Sequence, residues 1–359
     1  MVFFGKSDII YMTITRKTNN KKTAQLRGFF TNSVDTLPKM CYNISGNKSL
    51  KHDRGRNVSF LRYNYIMNTP NCQSLDEIFG TFIEKWQYRN TYTPYTIPSL
   101  SEFQRGAWNE CCDTIWVDDN DTIQAINSCR NRLCAICNWR NSRKKYSQTV
   151  QMINQIECMN LQYIFASYTI QNPSIDKLNE SIDKMMESIN RMQSSRRWKH
   201  RVLGYIRSLE ITYNADKNTW HPHLHYILLL PPDYYTNPDY YLSTYEWRTM
   251  WERAARLDYT SQVKIQPIQR GDNLPHAIAE ISKYALKLGS VVECQNTQII
   301  YRLKTAIAHR RLYAVGGILK PIYKQIKNAE KSEYANSVHN NKIWHCYQRD
   351  ADGRYHKLC

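Results

Sequence analysis

An alternating run of histidines that leads into an apolar segment constrains this chain more than any other feature. The run is WHPHLHYILLL, at residues 220–230. Successive side chains of a β-strand point to opposite faces, so His221, His223 and His225 would share one face. Neutral imidazole is the commonest side-chain metal ligand, and the pattern therefore predicts a metal-binding strand. The alternative is a surface strand that happens to carry three histidines.

A second strand is predicted just before the histidine strand, over residues 202–213, with a polar loop between the two. If this hairpin closes with Tyr213 opposite Trp220, Glu210 lies opposite His223 on the same face. Glu210 would then supply a carboxylate oxygen where a divalent cation needs one. The alternative for Glu210 is an exposed strand residue.

A cluster of cysteines lies between residues 111 and 137. Cys129, Cys134 and Cys137 follow the adjacent pair Cys111 and Cys112. The spacing of Cys134 and Cys137 is that of a zinc knuckle. A closed tetrahedral site needs a fourth ligand, for which Cys112 is the first choice and Cys111 the second. A set of free thiols is the alternative.

The chain is strongly basic. It has 49 Lys+Arg against 31 Asp+Glu, a net charge of +18 and a pI of about 9.4. This balance indicates a polyanionic partner, with nucleic acid first and an acidic membrane surface second. Four cations directly after the cysteines are expected to contact phosphates: Arg140, Arg143, Lys144 and Lys145. A zinc site would fix the position of the helix that carries them, and the helix could then bind the phosphates of a DNA backbone.

No apolar run approaches the ~20 residues that span a bilayer, and the N-terminus lacks the pattern of a signal peptide. We therefore expect a cytoplasmic protein without a membrane partner. Its 11 cysteines would then be in a reducing compartment, where clustered cysteines are more often metal ligands than disulfides.

A helix predicted over residues 273–288, closed by Gly289, carries a polar stripe that includes Glu280, Tyr284 and Lys287. In isolation the stripe is typical of a solvent-facing surface. Beside a metal site, however, it suggests one chemistry. The metal polarises a phosphate oxygen, and the tyrosine attacks phosphorus to form a phosphotyrosyl intermediate. A nearby cation would stabilise the developing charge, and a carboxylate one turn away could later activate water.

At these residues the chain resembles the rolling-circle replication initiators of small bacterial plasmids, within the HUH endonuclease superfamily. The likeness extends over roughly residues 108–325 and is closest to the branch with one tyrosine and an upstream glutamate. Five segments carry it: 129–140 (cysteines), 163–172 (first motif), 223–225 (His-Leu-His), 280–287 (ExxKYxxK) and 311–320. Two departures are Ala135, where the family usually has proline, and a loose first motif at residues 167–169.

The resemblance implies an α+β fold. A compact antiparallel sheet of HUH-endonuclease type would be flanked by helices, with the histidine strand central, beside a small zinc-binding module. The expected divisions are a region of unknown role at 1–104, the zinc module with its basic helix at 105–150, the catalytic domain at 158–325 and a tail at 326–359.

The resemblance also implies the site. Mg²⁺ or Mn²⁺ would bind His223 and His225, with Glu210 or His221 as third ligand, and Zn²⁺ would be structural. Tyr284 would nick one strand at a plasmid origin, keep the 5′ phosphate covalently and release a 3′-OH that primes synthesis.

In the same scheme Glu280 would activate water at termination, Lys287 would stabilise charge, and Lys283 would contact DNA. The expected substrate is single-stranded or extruded DNA at the origin, because nicking needs an unpaired strand. Host helicase and DNA polymerase are partners by family implication.

Three other functions compete with this interpretation. A zinc hydrolase of the metallo-β-lactamase type would extend His-x-His with Asp-His, whereas Tyr226 and Ile227 follow here. A non-catalytic zinc-containing regulator that binds nucleic acid would need the cysteines and the basic helix, but not Tyr284. A transposase or relaxase of the same superfamily is the nearest alternative, and the cysteine segment argues against it.

Overall fold

The computed structural model describes residues 58–59, 74–269, 273–283, 288–339 and 344–358. These residues belong to one compact unit that spans residues 55–359. None of the helices in these ranges is long and apolar enough to cross a lipid bilayer.

The described chain contains both strands and helices, in mixed order. The strands are β1 (Val58–Ser59), β2 (Thr114–Asp118), β3 (Ile123–Asn127), β4 (Gln162–Thr169), β5 (Gly204–Asn214), β6 (Thr219–Leu230), β7 (Val263–Ile268), β8 (Tyr313–Gly317), β9 (Trp344–Arg349) and β10 (Tyr355–Lys357). The α-helices are α1 (Leu75–Thr96), α2 (Glu102–Asn109), α3 (Ala135–Gln155), α4 (Leu178–Ser194), α5 (Arg196–Arg201), α6 (Thr244–Ala255), α7 (Leu274–Ser282), α8 (Leu288–Glu293), α9 (Thr297–Ile307) and α10 (Leu319–His339).

The sheet that contains the histidine strand has the strand order β7-β4-β6-β5-β8. Every neighbouring pair in it is antiparallel. The histidine strand β6 is therefore the central strand. The prediction of an α+β chain with antiparallel sheets and flanking helices is confirmed. Its assignment to the HUH-endonuclease type stays a prediction.

The hairpin between β5 and β6 has the predicted register. Tyr213 pairs with Trp220, and Glu210 pairs with His223. Asn218 in the turn adopts a left-handed φ of 50°, a conformation that asparagine tolerates better than most residues. The turn thereby sets which side chains of β5 face the histidines.

The two faces of this sheet pack against different helices. On one face, Leu224, Tyr226 and Leu228 of β6 are fully buried in a core that includes α4 and α6. Ile182, Met185, Ile189 and Met192 of α4 lie in this core. On the other face, Ile227 packs in a second core with Ile281 of α7. That second core covers the end of β6 away from the histidines.

A second sheet joins the cysteine region to the C-terminal residues. Its strand order is β1-β3-β2-β9-β10, and β9 pairs antiparallel with β2 along its length. The sequence predicts a tail over residues 326–359, but β9 and β10 within it complete this sheet. The predicted domain boundaries themselves stay a prediction.

Helix α7 ends earlier than the sequence predicts. The expected helix runs over residues 273–288, whereas α7 ends at Ser282 and Lys283 has an extended ψ of 165°. The Ser142 hydroxyl of α3 donates a hydrogen bond of 2.6 Å to the Ser282 carbonyl, one of the carbonyls left unpaired at a helix end. Gly289, expected to close the helix, instead lies within α8.

Candidate active site

The histidine face of β6 carries a compact group of three ligand atoms. One carboxylate oxygen, Oε2 of Glu210, lies 2.6 Å from Nε2 of His223 and 2.8 Å from Nε2 of His225. All three atoms lie within 4.8 Å of one another. The Glu210 side chain is only 5 % exposed, so its carboxylate is shielded from solvent.

The orientation of His223 suits metal binding. Its Nδ1 lies 3.3 Å from the backbone carbonyl of His221, and a proton on Nδ1 can be donated there. In that tautomer Nε2 presents a lone pair towards Glu210. Two lone pairs facing each other at 2.6 Å repel, so a proton or a metal cation is needed between them. Two imidazoles and one carboxylate are a donor set that fits a divalent ion, with further positions open for oxygen ligands.

Of the two candidates for the third ligand, the structure brings Glu210 to the pair of histidines. The ring of His221 lies 5.1 Å from that of His223, measured between ring centres, and its nitrogens are not part of the three-atom group. The Phe165 ring stacks on His225 at 5.4 Å and packs against that side of the site. This geometry favours Glu210, as the hairpin register predicts.

Helix α7 packs over the histidine face of the sheet through Ile278 and Ile281, which lie in the same core as Ile227. Glu280 is half-buried and forms an ion pair with Lys283. The proposed nucleophile Tyr284 and the proposed cation Lys287 lie outside the described residues.

Four thiols form a second cluster, as the cysteine spacing predicts. The Sγ of Cys111 lies 3.8 Å from that of Cys134 and 3.6 Å from that of Cys137, and Cys129 lies 3.5 Å from Cys137. In a tetrahedral zinc site with Zn–S bonds of about 2.3 Å, neighbouring sulfurs are about 3.8 Å apart. These thiols are unbridged and could hold one metal ion.

The fourth member of this cluster is Cys111, not Cys112, which the sequence analysis favours. Cys112 has a left-handed φ of 60°, and its N–H donates to the Asn127 carbonyl at 2.9 Å. This bend turns its thiol out of the four-sulfur group. Hydrogen bonds, first from Cys112 and then from the cluster thiols, hold the pKa of Cys111 well below its usual value. Burial raises the pKa of Cys112. Both directions suit Cys111 as the thiolate ligand.

The predicted DNA-contacting cations have different surroundings. Arg140 is only 6 % exposed and lies inside the cysteine module. Lys144 forms an ion pair of 2.7 Å with Glu330 of α10, and Arg143 is half-buried. Arg140 therefore lies in a place where a backbone phosphate cannot reach it without rearrangement.

Lys145 and Lys283 line a shared cavity that the sequence analysis missed. Arg132, Arg310 and Arg311 line it as well. These five cations come from three distant parts of the chain, which explains why spacing alone does not reveal them. The local signals were Lys145 and Lys283, each expected to contact DNA, but nothing in their spacing joins them to Arg132, Arg310 or Arg311.

Comparison with known proteins places these sites in context. The sequence profile of a family described as replication protein matches residues 120–354, which is more than half of the chain. The match includes the histidine strand, α7 and three of the four cluster cysteines. No solved structure matches the chain.

Several curated relatives are similar to this chain. Protein rep of Streptococcus pneumoniae serotype 2 (strain D39 / NCTC 7466) is 31% identical over 211 residues, which cover 57% of this chain and 66% of the relative. Protein rep of Bacillus amyloliquefaciens is 34% identical over 222 residues, or 55% of this chain and 64% of the relative. Protein rep of Staphylococcus aureus is 28% identical over 214 residues, or 57% of this chain and 92% of the relative.

The matched region thus spans just under two thirds of the first two of these relatives. The resemblance inferred from the histidine, tyrosine and cysteine segments agrees with the family match, which was found independently of the site geometry. On these grounds the chain belongs to the replication protein family.

Proposed function

We propose that this replication protein is a metal-dependent DNA endonuclease that nicks and rejoins one strand at a plasmid origin to start and terminate rolling-circle replication. The observation that carries the proposal is the position of Glu210 Oε2 between the Nε2 atoms of His223 and His225 on the central strand. Buried ionic groups can often be replaced by apolar residues without loss of stability, so this group is better explained by chemistry than by a contribution to the fold.

The ligands proposed for Mg²⁺ or Mn²⁺ are Glu210, His223 and His225. When bound, the ion would polarise a non-bridging oxygen of the scissile phosphate and offset its charge. The backbone carbonyl of His221 would hold His223 in the tautomer that presents Nε2, and Phe165 would limit the rotation of His225.

Tyr284 is the proposed nucleophile. Its phenol oxygen would form a bond to phosphorus while the phosphorus bond to the 3′ oxygen breaks, and a proton would end on that oxygen to give a 3′-OH. The 5′ phosphate would stay on the tyrosine. Lys287 is proposed to stabilise the developing charge, and Glu280 to take a proton from the water that hydrolyses the link at termination.

The four-thiol cluster is proposed to be a structural zinc site. It lies at the start of α3, because Cys134 is the N-cap residue of that helix and Cys137 is in its first turn. Such a site would fix α3, which packs against α7. Host helicase and DNA polymerase would act after nicking, as the family resemblance implies.

A non-catalytic regulator that binds nucleic acid is the second candidate. The buried cysteine cluster and the net charge of +18 would serve it equally well. It would give no reason for a carboxylate shared by two imidazoles, which is the ground for preferring the enzyme. A transposase or relaxase of the same superfamily would share that group, and it is disfavoured by the replication protein family match.

The test is cleavage of labelled single-stranded oligonucleotides from the origin region of the protein's own replicon, with Mn²⁺ or with EDTA. Wild type should give a 3′-OH product and a protein-linked 5′ fragment only with Mn²⁺, and Tyr284→Phe should give neither. Tyr301→Phe is the matched control, because Tyr301 is 53 % exposed on α9. If Tyr284→Phe cleaves like wild type, the nucleophile is wrong. If folded wild type binds DNA but never cleaves it, the regulator is the better account.

A further inference from the structure

A cavity of about 320 Å³ opens between α3, the end of α7 and the segment that leads into β8. Five cationic side chains line it, namely Arg132, Lys145, Lys283, Arg310 and Arg311, together with neutral amide and hydroxyl groups. No carboxylate is among its lining residues in the described chain. Its volume is at the small end of the roughly 300–1,000 Å³ found for ligand sites.

Three of the five cations have partners inside the protein. Arg310 forms an ion pair of 2.6 Å with Asp183, and Lys283 pairs with Glu280. The Arg132 guanidinium donates to the backbone carbonyl of Arg310 at 2.8 Å. For Lys145 and Arg311, by contrast, the described residues provide no ion-pair partner. The cavity therefore carries positive charge that the described residues do not balance.

Lys145 is half-buried beside an aromatic ring. Its Nζ lies 5.3 Å from the centre of the Tyr313 ring, and burial, with a contribution from Arg132, lowers its pKa to about 8. Burying an ammonium group near guanidinium groups costs free energy unless an anion balances it. Several donors converging on one small space are typical of a site for a phosphate group.

The cavity lies beside the candidate metal centre. Tyr313 of β8 pairs with Ser208 of β5, and Ser208 pairs with His225 of β6. Paired residues on neighbouring strands share a face, so the Tyr313 wall of the cavity is on the histidine face. The backbone N–H of Leu209 also donates to the Leu312 carbonyl at 2.8 Å, which brings this segment alongside β5 one residue from Glu210.

We propose that this cavity binds one backbone phosphate of the single DNA strand, at a position next to the phosphate that is cut. Lys145 and Arg311 would bind the phosphate oxygens directly, while Arg132 and Arg310 would contribute charge from their fixed positions. The inference rests on the proposed function for the identity of the strand. It adds a second phosphate site, which would fix how far the strand can slide across the histidine face.

The neutral lining groups are consistent with a nucleotide rather than a bare ion. The amides of Asn138 and Asn141 and the hydroxyl of Ser142 line the same space. Asn138 and Ser142 already donate to the carbonyls of Arg132 and Ser282, which leaves their oxygens as acceptors. Amide and hydroxyl oxygens can accept hydrogen bonds from sugar and base donors, which Lys and Arg side chains cannot do. A free phosphate or mononucleotide would present the same charged group, so the experiment has to separate it from a strand.

The experiment measures binding in EDTA, so that no cleavage occurs, with full-length protein and origin oligonucleotides in which one phosphate at a time is an uncharged methylphosphonate. For wild type, one position near the cut should weaken binding by roughly tenfold, the size of a lost charge-assisted contact. Arg311→Gln alters an exposed side chain. In this variant a methylphosphonate at the same position should weaken binding less than about threefold. Arg253→Gln, an exposed arginine of α6, is the control and should keep the wild-type profile.

A second readout is the salt dependence of binding. Loss of one phosphate contact should reduce the slope of log K against log salt by about 0.7 in Arg311→Gln and leave it unchanged in Arg253→Gln. The proposal is overturned if Arg311→Gln keeps the full sensitivity at every position, or if no position is sensitive in wild type. A third result would also overturn it: inorganic phosphate or a mononucleotide stabilises wild type but not Arg311→Gln, while no position of the oligonucleotide is sensitive. The cavity would then bind a free phosphate anion rather than a phosphate of the DNA strand.

The outcomes for the two proposals are distinguishable. If the position-specific loss depends on Arg311 but Mn²⁺ gives no cleavage, the phosphate site stands and the proposed nicking function fails. If Mn²⁺ gives Tyr284-dependent cleavage but Arg311→Gln keeps the wild-type profile, the nicking function stands and the phosphate site fails.

Discussion

Oε2 of Glu210 lies 2.6 Å from Nε2 of His223, across two neighbouring strands that pair these residues directly. The same oxygen is 2.8 Å from Nε2 of His225, two residues further along β6. The period of the strand places the two imidazoles on one face, and the hairpin register places the carboxylate between them. Which residues can bind the metal ion therefore depends on the register of β5 against β6. Substitution of the residues on this face tests the assignment.

Glu210→Ala should weaken Mn²⁺ binding at least tenfold and abolish metal-dependent cleavage, because it removes the only oxygen of the three-atom group. His221→Ala is the matched comparison and should bind Mn²⁺ within about threefold of wild type, because its ring lies outside that group. Isothermal titration calorimetry on both variants measures the difference. Equal losses in both would mean that His221 is a ligand as well.

Cys111→Ser should lower the zinc content well below one ion per chain, whereas Cys112→Ser should keep it. The reason is that the Sγ of Cys111, not of Cys112, lies in the four-thiol group with Cys134. Zinc measured by atomic absorption on purified protein gives the answer directly. A chelator should also lower the melting temperature of wild type, since zinc binding contributes to folding. Normal zinc in Cys111→Ser and loss in Cys112→Ser would reverse the assignment.

Lys145→Met should raise the free energy of unfolding at pH 7 by about 1–2 kcal/mol, even though it weakens DNA binding. The folded-state pKa of Lys145 is about 8, below its value in the unfolded chain. At pH 7 the ammonium is charged in both states, and the folded state bears the cost of burial. Some of the gain is offset by the lost contact with the Tyr313 ring.

The pH dependence of the free energy of unfolding tests the same assignment. Between about pH 8 and pH 10 the unfolded chain holds the Lys145 proton more tightly than the folded chain, so wild type gains stability from this group as pH rises. The advantage of Lys145→Met should therefore shrink between pH 7 and pH 9.5 in urea unfolding experiments. An advantage that is constant or grows over this range would contradict the assignment.

Tyr355→Phe should lower the free energy of unfolding by about 1 kcal/mol, because the Tyr355 hydroxyl donates to the Cys112 carbonyl at 2.6 Å. Tyr355→Ala should cost more, about 2–4 kcal/mol, since the ring also stacks on Phe79 at 4.8 Å. Urea unfolding measures both, with Leu358→Ala as a control at a side chain that is 52 % exposed. No loss in either tyrosine variant would mean that the C-terminal strands do not support the cysteine module.

Local patterns were sufficient wherever neighbouring residues set the structure. The alternating histidines predicted strand β6. The expected closure of the hairpin predicted that Glu210 pairs with His223. Ser74 and Glu77, three residues apart at the start of α1, have the spacing of a capping box, and both of its hydrogen bonds are present. In each case the interacting groups are close in the chain, so spacing carries the geometry.

Local patterns failed where distant segments or one backbone angle decided the outcome. Adjacent cysteines look equivalent in a sequence, and the left-handed φ of Cys112 separates them. Helix periodicity predicts continuation past Ser282, but a hydrogen bond from Ser142, 140 positions away, accompanies the end of the helix. Pairing of β9 with β2 likewise joins residues that are far apart in the chain.

The sequence by itself determined the strand with its histidine face, the cysteine cluster, the basic character and the resemblance to plasmid replication initiators. Only the tertiary structure decided that Cys111 joins the cluster, that the C-terminal residues complete a sheet, and that Lys145 and Arg311 meet in one cavity. The physical reason is that periodicity and turn chemistry act over a few residues. The convergence of charges from separate segments depends instead on how the sheets and helices pack.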